Sequence, residues 1–307
     1  MTAIVTKAGA KVRDALLEGA SKAYGSAMAP TRDRDGHEQL EMTVSRVVDL
    51  SASVRRLTFT SEDLRHFERV GADEYFGLLM PRRGVPLVMP DPERRDCRAA
   101  VADIDEDVRP DLRWYTIRAH RPELGEIDVD VVTHGDSGPG SSWVRRATVG
   151  DPAGLRSGGA LYRGDDVAGP QLLVADETAI PALLAILDDR AARGLTGEVR
   201  IHVEVPDAET ATAMGVPAGV HVHPRGEAAP GTVVLEAIRG EHAGDTADLD
   251  YAWLCGESGL VTCLRRHLVK ELGAERRRVL FSGYWKLGAA RPDPGPARPL
   301  RATSTAP

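Results

Sequence analysis

The segment Arg113-Trp114-Tyr115-Thr116-Ile117-Arg118 carries side chains suited to a flat, charged ligand. A guanidinium grips a phosphate through two parallel hydrogen bonds. Tyr115 offers a planar face and Thr116 a hydroxyl. Downstream of a strand-like run stands His134-Gly135-Asp136-Ser137-Gly138-Pro139-Gly140-Ser141-Ser142-Trp143. Its glycines let main-chain N–H groups approach an anion at a helix start. Together the two segments suit a flavin dinucleotide, ring against the tyrosine and pyrophosphate at the turn. Each alone is weak: Arg-x-Tyr-Thr also occurs in ordinary strands, and a glycine turn also simply ends one.

The elements that must position these groups fall into two textures. In the first half, 41–48, 54–60, 75–80 and 113–118 read as strands, rich in β-branched and aromatic residues. Residues 126–133 alternate, with Ile127, Val129 and Val131 on one face and Asp128 and Asp130 on the other. Closely spaced strands predict a small antiparallel barrel of six strands. Residues 82–110 are polar and proline-containing and read as a surface excursion.

Past Gly150 the pattern becomes strand–helix alternation. Strands are predicted at 171–175, 199–205, 220–223, 251–255 and 279–285. Helices are predicted at 179–192, 232–238 and 258–272, the last with Leu260, Leu264, Leu268 and Leu272 recurring every four residues. Asp176-Glu177-Thr178 supplies capping residues and Pro181 suits a first helical turn. This is an open parallel sheet with helices on its faces. The fold class is thus α/β with two domains: a β-barrel, then a parallel α/β domain. The expected division is 1–37 lead-in with a helix near 11–24, 38–165 barrel, 166–290 α/β domain, and a disordered tail from 291. No Gly-x-Gly-x-x-Gly or Gly-Lys-Ser/Thr loop is present, so the second domain is neither an ordinary dehydrogenase domain nor a nucleoside triphosphatase.

Composition sets the outer bounds. The formal net charge of −7 over 307 residues speaks against a general nucleic-acid binder. Three scattered cysteines, Cys97, Cys255 and Cys263, make neither a disulfide framework nor a Cys-x-x-Cys metal site. Cys255 and Cys263 are expected to be buried. No apolar run reaches a membrane span and no signal pattern opens the chain, so a cytoplasmic, membrane-free protein is expected.

Four segments in order resemble the siderophore-interacting proteins, FAD-dependent ferric-siderophore reductases of the ferredoxin-reductase-like superfamily. They are 113–118, the run from Val131 through His134-Gly135 to Trp143, Ala175-Asp176-Glu177-Thr178-Ala179-Ile180-Pro181-Ala182, and Trp253-Leu254-Cys255-Gly256-Glu257 with Arg265 and Gly283-Tyr284-Trp285-Lys286-Leu287-Gly288. The resemblance spans about residues 38–290. It departs from the family at Gly140, often alanine there, and at Ala175, often glycine. Both exchanges are small for small.

The resemblance implies FAD in the barrel. Arg113 would meet phosphate or ribityl oxygens, Tyr115 the isoalloxazine and Thr116 its polar edge. Val131, Thr133, His134 and Gly135 would flank the cofactor, and Gly140, Ser141 and Ser142 would take the pyrophosphate. Asp176, Thr178 and Ala179 would border the nicotinamide of NADH or NADPH, as would Gly256 and Glu257. Tyr284 and Trp285 would approach the flavin from the second domain. Lys286, with Arg118 behind it, would steer an anionic ferric siderophore. Electrons would pass from the nicotinamide through FAD to Fe(III), with no permanent metal site and no protein acid or base required. Arg225 suits a 2′-phosphate, while Glu204 and Asp207 oppose one. A monomer is expected, with a ferredoxin as an alternative electron donor. Two other functions stay open: a flavin reductase serving a ferredoxin or other electron-transfer partner, and a siderophore-binding protein without redox activity.

Overall fold

A computed structural model describes residues 28–133, 139–241 and 249–288. The expected helix near 11–24, the tail from 291, and His134 and Gly135 lie outside the described residues.

The first sheet is antiparallel and contains β1 (Gln39–Asp49), β2 (Val54–Thr60), β3 (Tyr75–Met80), β4 (Asp111–Thr116), β5 (Ala119–Arg121), β6 (Glu126–Val132) and β7 (Pro152–Ser157). Their order is β4-β3-β7-β1-β2-β6-β5. Seven strands stand where six are predicted. The sheet curls because the chain bends after β4: Ile117 N donates to Glu74 O beside β3, and Arg118 N to Asp128 O on β6. Its inner face buries Leu57, Phe59, Phe76, Leu78, Ile127 and Val129.

Strand β7 is central, yet its sequence Pro-Ala-Gly-Leu-Arg-Ser hides it. Proline is tolerated at the first residue of a strand. Gly154 makes room for a neighbour: a Cβ there would lie 2.5 Å from Met89 Sδ and 3.0 Å from Leu79 Cδ1. Met89 belongs to the 82–110 excursion, which is not a plain surface loop. It contains the helix α1 (Cys97–Ala102), capped by Asp96 accepting from the N–H groups of Arg98 and Ala99. Cys97 and Val101 pack with Leu79 against Leu112 and Trp114, covering the outer face of the sheet.

The alternation in β6 is real, but its polar face is not solvated. Asp128 and Asp130 are each 5% exposed. Arg56 holds Asp130 through Nε and Nη2 at 2.6 and 2.7 Å, and Arg121 holds Asp128 at 2.7 and 2.8 Å. Buried carboxylates persist where such planar two-point pairing offsets lost hydration.

Helix α2 (Pro139–Arg146) leads from β6 to β7. Within it Trp143 is buried and stacks on Phe59, so it belongs to the core.

The second sheet is parallel, ordered β10-β9-β8-β11-β12, from β8 (Gln171–Asp176), β9 (Val199–Val205), β10 (His221–Pro224), β11 (Tyr251–Glu257) and β12 (Val279–Trp285). One face is covered by α3 (Ile180–Ala192) and α4 (Ala208–Ala213), the latter not predicted. The other is covered by α5 (Thr232–Gly240) and α6 (Ser258–Arg266). Helix α6 is shorter than predicted and passes at His267 into a π-helical turn. That turn keeps Leu268 in the core but leaves Leu272 only partly covered. Cys97 and Cys255 are buried, but Cys263 on α6 is exposed, contrary to expectation. Among the described residues no helix is long and apolar enough to cross a membrane.

The two sheets are joined by buried polar groups. Asp73, 1% exposed beside β3, accepts from Trp253 Nε1 on β11 at 3.0 Å and from the N–H groups of Leu161 and Tyr162. The segment ahead of β1 also docks on the second sheet, through Ala29 N to Val279 O at 3.1 Å.

Candidate functional site

Strand order reverses between β8 and β11, and at such a point the connections diverge and leave a crevice at the carboxyl ends. The edge strand β4 faces this crevice. Between the two lies a cavity of about 1020 Å³. That is at the upper end of the roughly 300–1,000 Å³ range of ligand pockets. From β4 it is lined by Arg113, Tyr115 and Thr116, and from the other sheet by Thr178, Tyr284 and Trp285. Sequence positions 170 residues apart thus face one space.

Arg113 donates Nη1 to its own strand at Leu112 O, 2.7 Å. Burial pushes the Tyr115 phenol up to about 12, with the nearby Arg113 cation opposing, so the ring stays neutral. Gly140, in the first turn of α2, sits directly against both. A Cβ there would lie 2.9 Å from Arg113 Cγ and 3.1 Å from Tyr115 Oη. The glycine therefore lets the helix start close up on the arginine and tyrosine. This is a cradle for a phosphate: a guanidinium, a helix N-terminus and bare main chain. Arg113 and Tyr115 also line the cavity, whose volume suits an FAD-sized dinucleotide, while Gly140, Ser141 and Ser142 stand behind them outside its lining. Ser141 is partly covered and Ser142 exposed in the same turn.

Asp176 does not line the cavity but organises it. Its carboxylate is fully buried and accepts five hydrogen bonds. Oδ1 takes the Thr178 N–H and hydroxyl (2.8 and 2.6 Å) and the Ala179 N–H (3.2 Å). Oδ2 takes Glu257 N (2.7 Å) and Trp285 Nε1 (2.8 Å). Burial and the Glu177 carboxylate push this acid up to about 6, against the bonds from Thr178 and Trp285. One acid thereby fixes the turns after β8, β11 and β12. Gly256 is required beside it, at φ +142° with the Asp176 carboxylate only 2.6–2.9 Å from where a Cβ would stand. Ala179 is wholly buried with its N–H on Asp176, so its part is in the turn.

Glu257 caps α6, its Oε2 accepting from Leu260 N at 3.0 Å and from Gly259 N, while Oε1 accepts from Leu287 N at 3.1 Å. Its carboxylate is a structural acceptor and does not line the cavity.

Val131 points into the barrel core, and the next residue, Val132, lines the cavity instead. Thr133 is 6% exposed and bonds Ser53 O through its N–H and hydroxyl. Arg118 is paired with Asp188 of α3 at 2.6 Å and lies outside the lining; it joins the two domains. Lys286 is exposed just past β12, also outside the lining.

Arg225 donates both terminal nitrogens to Glu177 at 2.7 Å. Glu204 takes the N–H groups of Gly231, Val233 and Val234 at the start of α5. Asp207 caps α4 through Thr210. All three residues weighed for the 2′-phosphate are thus engaged by the fold.

Sequence reading missed Tyr75, Trp114, Arg156, Leu161 and Pro181 in the lining. Trp114, inside the Arg113–Arg118 segment, and Pro181, inside the Ala175–Ala182 segment, lay within the quoted motifs; the other three carried no signal.

Residues 43–160 match the family described as the siderophore-interacting FAD-binding domain, and residues 168–288 match the siderophore-interacting protein family. Ferric vibriobactin reductase ViuB of Vibrio cholerae is 25% identical over 260 residues, covering 81% of this chain and 92% of its own. The siderophore-interacting protein SipS of Aeromonas hydrophila superposes with a TM-score of 0.60 at 28% identity, over 83% of this chain and 99% of that one. A siderophore utilization protein from T. fusca superposes at 0.66 with 26% identity, over 86% and 98%. The chain belongs to the siderophore-interacting protein family.

Proposed function

We propose that this member of the siderophore-interacting family is an FAD-dependent ferric-siderophore reductase. Its donor is NADH or NADPH, its acceptor the Fe(III) of a siderophore, and its product Fe(II), which oxygen donors hold more weakly because its charge is lower. The observation that carries this reading is the single cavity in which Arg113, Tyr115 and Thr116 of β4 face Tyr284 and Trp285 of β12. Related ferric-siderophore reduction in the named V. cholerae relative supports it.

Bound FAD would supply the coupling between a two-electron donor and a one-electron acceptor. The chain's own residues hold and shape the site. Arg113 and the main chain at Gly140, Ser141 and Ser142 grip the pyrophosphate. Tyr115 presents its ring to the flavin and Thr116 its hydroxyl. Thr178, held by Asp176, borders the nicotinamide at the turn after β8. Trp285, held by the same acid, closes the cavity from the second sheet. Residues 38–165 form the FAD-holding unit and 166–290 the nicotinamide unit. The reaction belongs in the cytosol, where nicotinamide donors are available.

The test is an anaerobic visible spectrum of the purified protein, followed on adding NADH or NADPH and then a ferric siderophore with a ferrous trap. Bleaching by the nicotinamide and recovery as trapped Fe(II) appears are expected. Retained flavin that no nicotinamide bleaches would instead indicate a protein donor such as a ferredoxin. Protein without flavin would overturn the reading.

A further inference from the structure

The second domain gathers positive charge at the edge away from the cavity. Residues 265–278 contain six lysines and arginines against two acids, Glu271 and Glu275, in a chain whose formal net charge is −7. Topology brings these cations to one edge. In a parallel sheet the covering helices run against the strands. The last turns of α5 and α6 therefore return to the amino edge, where β11 and β12 begin. Two contacts fix this arrangement. Arg239, in the last turn of α5, reaches Glu271 beyond α6 at 3.0 Å. Arg278, just before β12, reaches Asp250, just before β11, at 2.6 Å.

The acids of this edge are already engaged. Glu271 accepts from Arg239 and lies 2.8 Å from His267 Nδ1. Asp250 holds Arg278, and Glu275 lies 3.6 Å from the same guanidinium. Glu241, past the end of α5, is held by Arg200 at 2.9 Å. Arg265 lies over the Phe281 ring, 4.5 Å from its centre. Arg266, Lys270, Arg276 and Arg277 are exposed, and none pairs with a carboxylate among the described residues. Arg266 and Lys270 stand one turn apart, and Arg276 and Arg277 are adjacent. Between the two pairs Val269, Leu272 and Ala274 are only partly covered. Like charges this close repel one another, and an outside anion relieves the repulsion.

We propose that this amino edge docks on an anionic lipid surface, in a peripheral contact that salt reverses. Clustered point charges with shallow apolar groups between them suit a layer of charged headgroups. A protein interface is anchored by exposed aromatic rings, and a single-strand binder stacks bases on them. No aromatic side chain from 249 to 281 is exposed. The acidic remainder of the molecule is repelled by the same lipid, which selects approach by this edge. Such contact asks for no spanning helix. The cavity lies toward the opposite, carboxyl edge of the sheet, so docking leaves it turned away from the lipid.

The test sediments the purified full chain with vesicles of phosphatidylcholine alone and of phosphatidylcholine with an equal share of phosphatidylglycerol. At about 0.01 M salt, where charges act over about 30 Å, partition onto the anionic vesicles is expected at least about tenfold above the neutral ones. At about 1 M salt it should vanish. Arg276→Gln, Arg277→Gln should weaken partition about 25-fold, roughly fivefold per charge. Arg276→Lys, Arg277→Lys should stay within about twofold of wild type, because the surface reads charge rather than shape. Arg82→Gln, Arg83→Gln removes an exposed pair after β3 in the first domain and should also stay within about twofold. If the Gln pair at 276 and 277 does not fold, Lys270→Gln replaces it, with an expected loss of about fivefold. Equal partition onto neutral and anionic vesicles, partition that survives about 1 M salt, or an equal loss in the Arg82, Arg83 pair would overturn the proposal. Duplex DNA that strips the protein from the vesicles at equal phosphate concentration would overturn it too, assigning the edge to a nucleic acid. Flavin bleaching and Fe(II) release are read separately in solution, so their failure would remove the reductase reading and leave the lipid result standing.

Discussion

Trp285 Nε1 donates to Asp176 Oδ2 at 2.8 Å, a bond between residues 109 positions apart. It ties the end of the last strand of the parallel sheet to the end of its first. The same oxygen accepts Glu257 N, so three strand ends are set by one carboxylate. The ring that closes the cavity is therefore positioned by an acid that does not itself enter the cavity.

Replacing Asp176 by Asn should cost more than an isosteric exchange ordinarily does. All five groups facing the carboxylate are donors, and an amide NH₂ would meet at least one of them without an acceptor. A buried donor left unpaired costs about 1–3 kcal/mol. Thermal unfolding should show a loss of about 3 kcal/mol, with changed tryptophan emission as Trp285 is released. A variant with wild-type melting and emission would remove Asp176 from this role.

The same acid predicts a pH dependence. Its folded value is raised to about 6 by burial and Glu177, above an unfolded value of about 4. Between those values the folded state binds the proton more readily than the unfolded chain. The contribution to stability is therefore fully present below about pH 4, falls as pH rises through about 6, and is constant above. Melting temperatures of wild type and Asp176→Asn, compared from pH 4 to 7, should differ by an amount that changes across this window and levels off past it. A constant difference would contradict the raised value.

Arg113→Ala should weaken FAD retention by about 10–100-fold, the worth of a charge-assisted phosphate contact. Gly140→Ala, the residue often found there in the resembled family, should change retention by under about threefold, because only the Arg113 and Tyr115 side chains need shift to admit the methyl. Flavin content after gel filtration reads both. Unchanged occupancy in Arg113→Ala would dismiss the phosphate assignment.

Arg225→Ala should destabilise the fold without changing the choice of nicotinamide. Glu177 is fully buried, and removing its two-point partner leaves a carboxylate uncompensated, a loss of about 3–5 kcal/mol. The ratio of kcat/KM for NADPH and NADH should stay within about twofold of wild type among molecules that remain folded, since 1.4 kcal/mol per tenfold leaves no lost phosphate contact in so small a change. A collapse of that ratio would instead place Arg225 on a 2′-phosphate.

Lys286 and Arg118 should separate in kinetics. Lys286 is exposed past β12, so Lys286→Glu should raise KM for an anionic ferric siderophore by several-fold at low salt, with the effect fading at high salt. Arg118 is held by Asp188, so Arg118→Ala should leave KM unchanged and cost at most about 1 kcal/mol of stability. The reverse pattern would exchange their roles.

Local pattern carried much of this protein's design. Residue type marked β1 to β4 and period-two alternation marked β6, while strand–helix alternation marked all five parallel strands, because burying one face of a regular element imposes a repeat on its sequence. The Arg113–Thr116 segment announced phosphate and ring binding, since those side chains sit two or three residues apart on one strand and need no distant partner to be recognised. What the sequence did not show are relationships set by the return of the chain. β7 was hidden because Gly154 answers to Met89, a contact between strand and excursion. Alternation put Asp128 and Asp130 on the other face of β6, but only the fold brings Arg121 and Arg56 opposite them. Alternation along β6 puts Val131 with Ile127 and Val129 in the core, and it is the fold that turns the neighbouring Val132 to the cavity. Asp176, Glu257 and Arg225 look like ligand-facing groups in one dimension. In three, their charges are claimed by N–H groups and partners from other elements, because a buried charge must be paired wherever the fold places it. Residue type determined what chemistry the chain could perform; tertiary packing decided which of those groups were left free to perform it.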